Sequence, residues 1–426
     1  MRWLVRALYA ATARLAVVAS VIAPPNSGKA AIALRARRGI RGRYAAWARE
    51  HRDPSRSLLW VHAPSVGEGL QARPVLTLLR SQHPELQLAY TFFSPSAEEF
   101  SRTLDVDFRD YLPFDTGGDM RAALDALRPK ALVFSKLDVW PELVRQAKAR
   151  GVRVGMISAT LGSASARTGV AASLLLGNAY QALDAVGAVD ADDAARLVQL
   201  GVREAVVEVT GDTRFDQVIQ RAEHVDRDSR LHTNLASERP TLVAGSTWPS
   251  DERHLLEGFA RARSVVPALR LIIAPHEMTG AHLHAIEEWA GARELSFARV
   301  DMADADTDVL IVDRFGILGD LYALANVAFV GGGFHAAGLH SVLEPAAFGV
   351  PVLFGPRHDR SRDALMLLRV GGGAAVRSAA DIERRLRDWF DKPEVRRDAG
   401  SNARAAVERG RGAAAASLKV VERLLA

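Results

Sequence analysis

The residues best placed for chemistry lie in one stretch, Val327–Pro356, VAFVGGGFHAAGLHSVLEPAAFGVPVLFGP. An apolar strand feeds Gly332, Gly333 and Gly338 into a loop, and a helix opens around Leu343-Glu344-Pro345. A strand running through glycines into a helix start leaves backbone N–H groups directed at one spot, which suits a phosphate. Glu344, one helix turn further on, can accept hydrogen bonds from two sugar hydroxyls. Together they fit a nucleotide sugar. The loop has neither G-x-G-x-x-G spacing nor Gly-Lys-Ser/Thr, so a tight turn between core elements is the other reading. A second carboxylate, Glu68, follows Ser65 directly after the apolar run Ser57–Ala63 and before a helical period over Gly69–Arg80. Both side chains therefore belong to the carboxyl end of a strand and the amino end of a helix, where open parallel sheets bind ligands. The S-x-x-E spacing equally describes a capping box.

The elements that must hold these groups alternate along the chain. Strand patterns at 87–92, 110–114, 131–135, 152–157, 183–189 and 206–210 are separated by helical ones of about 10–15 residues. Residues 217–239 are charged and weakly apolar, and predict a connection between domains. A second alternating series starts at Thr241–Ala244. Gly245-Ser246-Thr247 follows that strand as another phosphate turn, and Leu269–Ala274 ends at Pro275-His276-Glu277. The pattern predicts an α/β protein with doubly wound parallel sheets.

Totals exclude other classes. There is no cysteine, so disulfides and thiolate metal sites are out. The twelve histidines show no metal-ligand spacing, and no metal is expected. Residues 1–56 carry twelve Lys/Arg against two carboxylates, a charge of +10, which leaves the other 370 residues at −5. Basicity is thus local, without the interleaved aromatics of a base-stacking surface, and no nucleic-acid partner is expected. The apolar run Leu15–Ala23 is short of the ~20 residues a spanning helix needs. With the nearby arginines it predicts an amphipathic helix on a membrane surface, ended by Pro24-Pro25, with Arg35–Arg43 reaching anionic head groups. An ordinary first helix packed on the domain is the alternative.

The chain resembles the 3-deoxy-D-manno-octulosonic acid (Kdo) transferases from about Arg35 to Gly373. The motifs are Trp60–Glu68 (WVHAPSVGE), Asp138–Pro141 (DVWP), Gly211–Asp216 (GDTRFD), Gly245–Thr247 and Gly338–Pro345 (GLHSVLEP), with Gly355-Pro356. The resemblance implies a GT-B fold of two Rossmann-like domains. Expected boundaries are a membrane-associated helix 1–34, an acceptor-side domain 35–216, a linker 217–239, a donor-side domain 240–410 and a terminal helix 411–426. It implies inverting, metal-independent transfer of Kdo from CMP-Kdo to a lipid A precursor at the cytoplasmic face of the inner membrane, with no cofactor. Glu68 would be the general base, abstracting the acceptor hydroxyl proton as it attacks. Glu344 would hold the ribose of CMP. Gly332, Gly333, Gly338, His340 and Ser341 would line the phosphate and cytidine side. Ser246 and Thr247 would bind phosphate or the Kdo carboxylate, beside His276, and Arg214 would add positive charge. Ser65 and Asp138 come with their motifs. Many members read Glu-Thr-Glu-Leu-Trp-Pro-Asn where this chain has Lys136-Leu-Asp-Val-Trp-Pro-Glu142, which makes Lys136 a substitute cation near the acceptor. Another GT-B glycosyltransferase, a sugar-nucleotide epimerase or a non-catalytic relative are the alternatives.

Overall fold

Short apolar runs, the central ones buried along their whole length, become strands that need cover on both faces, as in parallel sheets. In the computed structural model, which describes residues 2–22, 28–162 and 170–426, they form two sheets in two units. Met1–Gln217 with Gly412–Ala426 make the first unit, and Val218–Arg411 the second. The first contains β1 (Leu58–His62), β2 (Gln87–Phe92), β3 (Phe108–Tyr111), β4 (Ala131–Ser135), β5 (Arg153–Ala159), β6 (Ala185–Ala188) and β7 (Val207–Val209). All are parallel, in the order β3-β2-β1-β4-β5-β6-β7. The second contains β8 (Thr241–Thr247), β9 (Arg270–Pro275), β10 (Phe297–Arg299), β11 (Val309–Ile311), β12 (Val327–Val330), β13 (Val352–Phe354) and β14 (Gly373–Ala375). These too are parallel, in the order β10-β11-β9-β8-β12-β13-β14.

The order reverses between β1 and β4 in the first sheet and between β8 and β12 in the second. Loops leaving the two strands on either side of a reversal diverge to opposite faces and open a crevice at the carboxyl edge. Both expected carboxylates follow a strand that borders such a point.

The α/β class and the alternation stand as expected. Among the elements that escape the sequence pattern are β10, β14 and the helices Lys29–Arg35, Ile40–His51 and Val170–Gln181. Three-residue strands are too short to show a period, and β14, Gly-Ala-Ala, is defined by its pairing with β13. Most of 217–239 is helical, in Thr213–Glu223 and Arg230–Leu235. The terminal helix Ala413–Leu425 belongs to the first unit, where Leu418, Val421 and Leu424 join the core. Asp216 fixes its start by accepting from the N–H groups of Gly412 (2.7 Å) and Ala414 (2.8 Å).

The N-terminal helix spans Arg2–Ile22, and Pro24-Pro25 lies outside the described residues. No helix of the described residues is long and apolar enough to cross a membrane. Tyr9 Oη donates to the buried Asp115 at 2.7 Å and ties this helix to the first unit. In the basic run behind it Arg38, Arg41 and Arg43 are exposed. Arg37 is not: it is buried, donating to the Leu112, Ala33 and Phe93 carbonyls with its guanidinium over the Phe93 ring. Arg41 pairs with Asp119 and Arg43 with Asp110.

Candidate active site

At the first reversal, β1 runs into Ala63-Pro64-Ser65 and the helix Val66–Gln82, and β4 runs into Lys136. Ser65 makes no side-chain bond to the helix backbone, so no capping box forms. Its hydroxyl instead donates to Glu68 Oε2, while Lys136 Nζ donates to Glu68 Oε1 at 3.1 Å. Ser135 Oγ holds the Glu68 carbonyl at 2.8 Å. Burial pushes the Glu68 carboxyl up, but the Ser65 hydroxyl and the Lys136 ammonium outweigh it and leave the pKa below the usual range. Glu68 is thus ionised and oriented on both oxygens. Lys136 sits in the left-handed region, φ +69°, its N–H donating to Ile157 O at 2.9 Å. A non-glycine residue there costs about 1–2 kcal/mol. Asp138 is half-buried on the same loop.

Behind this pair is a group the sequence reading missed. His62, fully buried on β1, accepts from Trp140 Nε1–H at 3.1 Å through Nε2 and meets Thr91 Oγ1 at 3.0 Å through Nδ1. Burial pulls its pKa down to about 3, so the ring is neutral. It seats Trp140, which stacks on Phe93. The only signal in the sequence is a histidine inside an apolar strand.

At the second reversal the expected phosphate loop is wired differently. The buried Asp251 accepts from Gly332 N–H (2.8 Å), Phe334 N–H (2.9 Å) and Trp248 N–H (2.9 Å). An internal carboxylate therefore holds the Gly332 amide assigned to a ligand anion. Gly332, at φ +90°, carries no Cβ because one would strike the Gly338 carbonyl, and Gly333 lies against the Gly355 backbone. The glycines pack the loop. Thr247 is also taken, its buried hydroxyl donating to Glu252 at 2.7 Å. Ser246 differs. It is the extra residue of a bulge where β8 pairs with β9, at φ +55°. Its hydroxyl has no partner among the described residues. Bulges redirect side chains next to active sites.

Trp248 organises the histidines. Its ring stacks on His276 (4.5 Å) and His335 (4.1 Å), and its Nε1–H donates to His340 Nε2 at 3.2 Å. Burial, then His276, lowers the His340 pKa, which keeps Nε2 an acceptor. Ser341 is exposed beside it. Glu344 makes no hydrogen bond among the described residues. Burial raises its pKa, partly offset by Arg221. A mostly buried carboxylate without a donor is suited to two hydroxyls of a ligand. Trp248, Asp251 and His335 were missed; Trp-Pro-Ser-Asp, a helix-start pattern, was their only trace. Arg214 is placed outside the second unit: it belongs to the first and pairs with Asp212 at 2.7 Å.

The chain is similar to known proteins over most of its length. The family described as 3-Deoxy-D-manno-octulosonic-acid transferase (kdotransferase) matches residues 35–217. A 3-deoxy-D-manno-octulosonic acid transferase of Bordetella pertussis is 29% identical over 392 residues, 87% of this chain and 88% of that protein. Its counterpart from Haemophilus influenzae is 25% identical over 386 residues, 89% and 90% of the two chains. Among solved structures, a UDP-GlcNAc 2-epimerase from Neisseria meningitidis bound to UDP-GlcNAc has a TM-score of 0.61 at 13% identity, covering 87% of this chain and 99% of that one. That likeness concerns the fold, which is of the GT-B kind. The chain is a glycosyltransferase: residues 35–217 match the Kdo transferase family, and relatives of that name align over most of its length.

Proposed function

We propose that the protein transfers Kdo from CMP-Kdo to a lipid A precursor, lipid IVA, with inversion and without a metal, at the cytoplasmic face of the inner membrane. The observation that carries the reading is Glu68, ionised and held by Ser65 and Lys136 at the β1–β4 reversal. In the reaction an acceptor hydroxyl oxygen forms a bond to the anomeric carbon while its proton passes to the Glu68 carboxylate. The bond from that carbon to the phosphate oxygen breaks, and its electron pair leaves with CMP. Attack opposite the leaving group inverts the centre. The second unit supports the donor side. Glu344 takes the ribose hydroxyls, and Ser246, His276, His340 and Ser341 surround the phosphate and the sugar carboxylate. Gly332, Gly333 and Gly338 shape that loop.

The test is incubation with CMP-Kdo and a tetra-acylated lipid A precursor, with the product weighed by mass spectrometry. The expected result is a gain of Kdo, cut by about 10²-fold or more in Glu68→Ala while CMP binding persists. Preference for UDP over CMP, or full turnover by Glu68→Ala, defeats the proposal.

A further inference from the structure

The first unit contains a cavity of about 1030 Å³ beneath the N-terminal helix. Its walls are that helix and the helices Gly117–Leu127, Pro141–Lys148 and Val170–Gln181. Packed interiors leave few voids larger than a water molecule, and this volume is at the top of the range for ligand sites. The helix that closes it is pinned by the Tyr9–Asp115 bond, and Asp115 is itself fixed by the N–H groups of Glu142 and Leu143 at 2.9 and 2.8 Å.

The lining has two characters. Val17, Val18, Val144 and Leu175 make an apolar wall, and elsewhere cations outnumber carboxylates five to three. Arg41, Arg145 and Lys148 are engaged by Asp119, Glu142 and Asp184. Arg14 and Arg121 are not: among the described residues no hydrogen bond or ion pair ties either guanidinium. Two unpaired guanidinium groups match the oxygens of a phosphate. A purely polar anion leaves the apolar wall wet, and a neutral lipid leaves the arginines unpaired. An amphiphile with an anionic head satisfies both. The outer face of the helix adds Leu8 and Leu15, 68% and 66% exposed, which suits a lipid surface nearby.

We infer that this cavity binds one phosphorylated lipid, its phosphate on Arg14 and Arg121 and an acyl chain along Val17, Val18 and Leu175. The inference rests on the acceptor reading above, in which that lipid is the acceptor; a membrane phospholipid carries the same chemistry. The probe is lysophosphatidate with a diazirine in its acyl chain, photolysed with the full chain in detergent micelles and mapped by mass spectrometry. Label is expected on peptides containing residues 14–18 and 175–182, falling roughly tenfold or more in the double variant Arg14→Gln/Arg121→Gln. Equal labelling of the double variant, or label confined to Leu8 and Leu15, overturns the site. Competition separates the two sources. Displacement by the tetra-acylated precursor at lower concentration than phosphatidylglycerol supports the acceptor, and the reverse order overturns that assignment. Labelling needs no CMP-Kdo, so failure of the transfer reaction and failure of this site are read separately.

Discussion

A carboxylate that serves as a base must be ionised and must still accept a proton, and the surroundings of Glu68 set that balance. Burial alone would protonate it too easily; Ser65 and Lys136 reverse the sign. A base works only above its own pKa, so a depressed value extends activity toward acid pH. Lys136→Ala removes a lowering influence and leaves the burial. The acid limb of the kcat/KM profile should therefore move to higher pH, and a limb that stays in place removes Lys136 from the tuning of Glu68. The residue types were legible in the sequence and their backbone was not. Lys136 and Ser246 both hold positive φ, at +69° and +55°. Each sits beside a sheet reversal, where the surrounding fold holds the strain.

At the scale of the element, the glycine loop after β12 is held from outside itself. Its acceptor, Asp251, is 81 residues upstream of Gly332, at the start of another helix. No local spacing could reveal that the amides were already engaged, whereas the glycines themselves and the flanking strands were plain. Asp251→Ala leaves three backbone N–H donors without their acceptor, and charge-assisted bonds of this kind contribute about 1.5–3 kcal/mol each. The second unit should lose about 3 kcal/mol or more in denaturant unfolding, with CMP affinity falling alongside. Asp251→Asn keeps one acceptor oxygen and should fall between the two. Wild-type stability in Asp251→Ala would show that the loop holds its shape without the carboxylate. The Gly211–Asp216 motif tells a similar story: Thr213 donates to Gln71 O at 2.7 Å and Asp216 caps the last helix.

At the scale of the whole molecule, charge and chain path matter most. The chain leaves the first unit after Gln217 and returns at Gly412 to complete its core. The first 56 residues hold a charge of +10; Arg37 is spent inside the fold, while Arg41 and Arg43 pair with Asp119 and Asp110 at the surface. The apolar contribution toward a membrane is the helix Arg2–Ile22, with Leu8 and Leu15 exposed at a spacing of one helical face. Deleting residues 2–22 should release the protein from phosphatidylglycerol vesicles in a sedimentation assay. Unchanged sedimentation would place the attachment elsewhere.

By itself the sequence determined the class of fold, the two alternating series and the neighbourhood of both glutamates. Apolar period, glycine placement and strand-to-helix order are local properties, and they act over a few residues. Only the tertiary structure decided which groups stay available to a ligand. It gave Thr247 to Glu252, Gly332 to Asp251 and Arg214 to Asp212, and it left Ser246 and Glu344 unpaired. The reason is that a buried polar group takes its partner from whatever strand or helix the fold packs beside it, and partners such as Asp251 for Gly332 are far away along the chain.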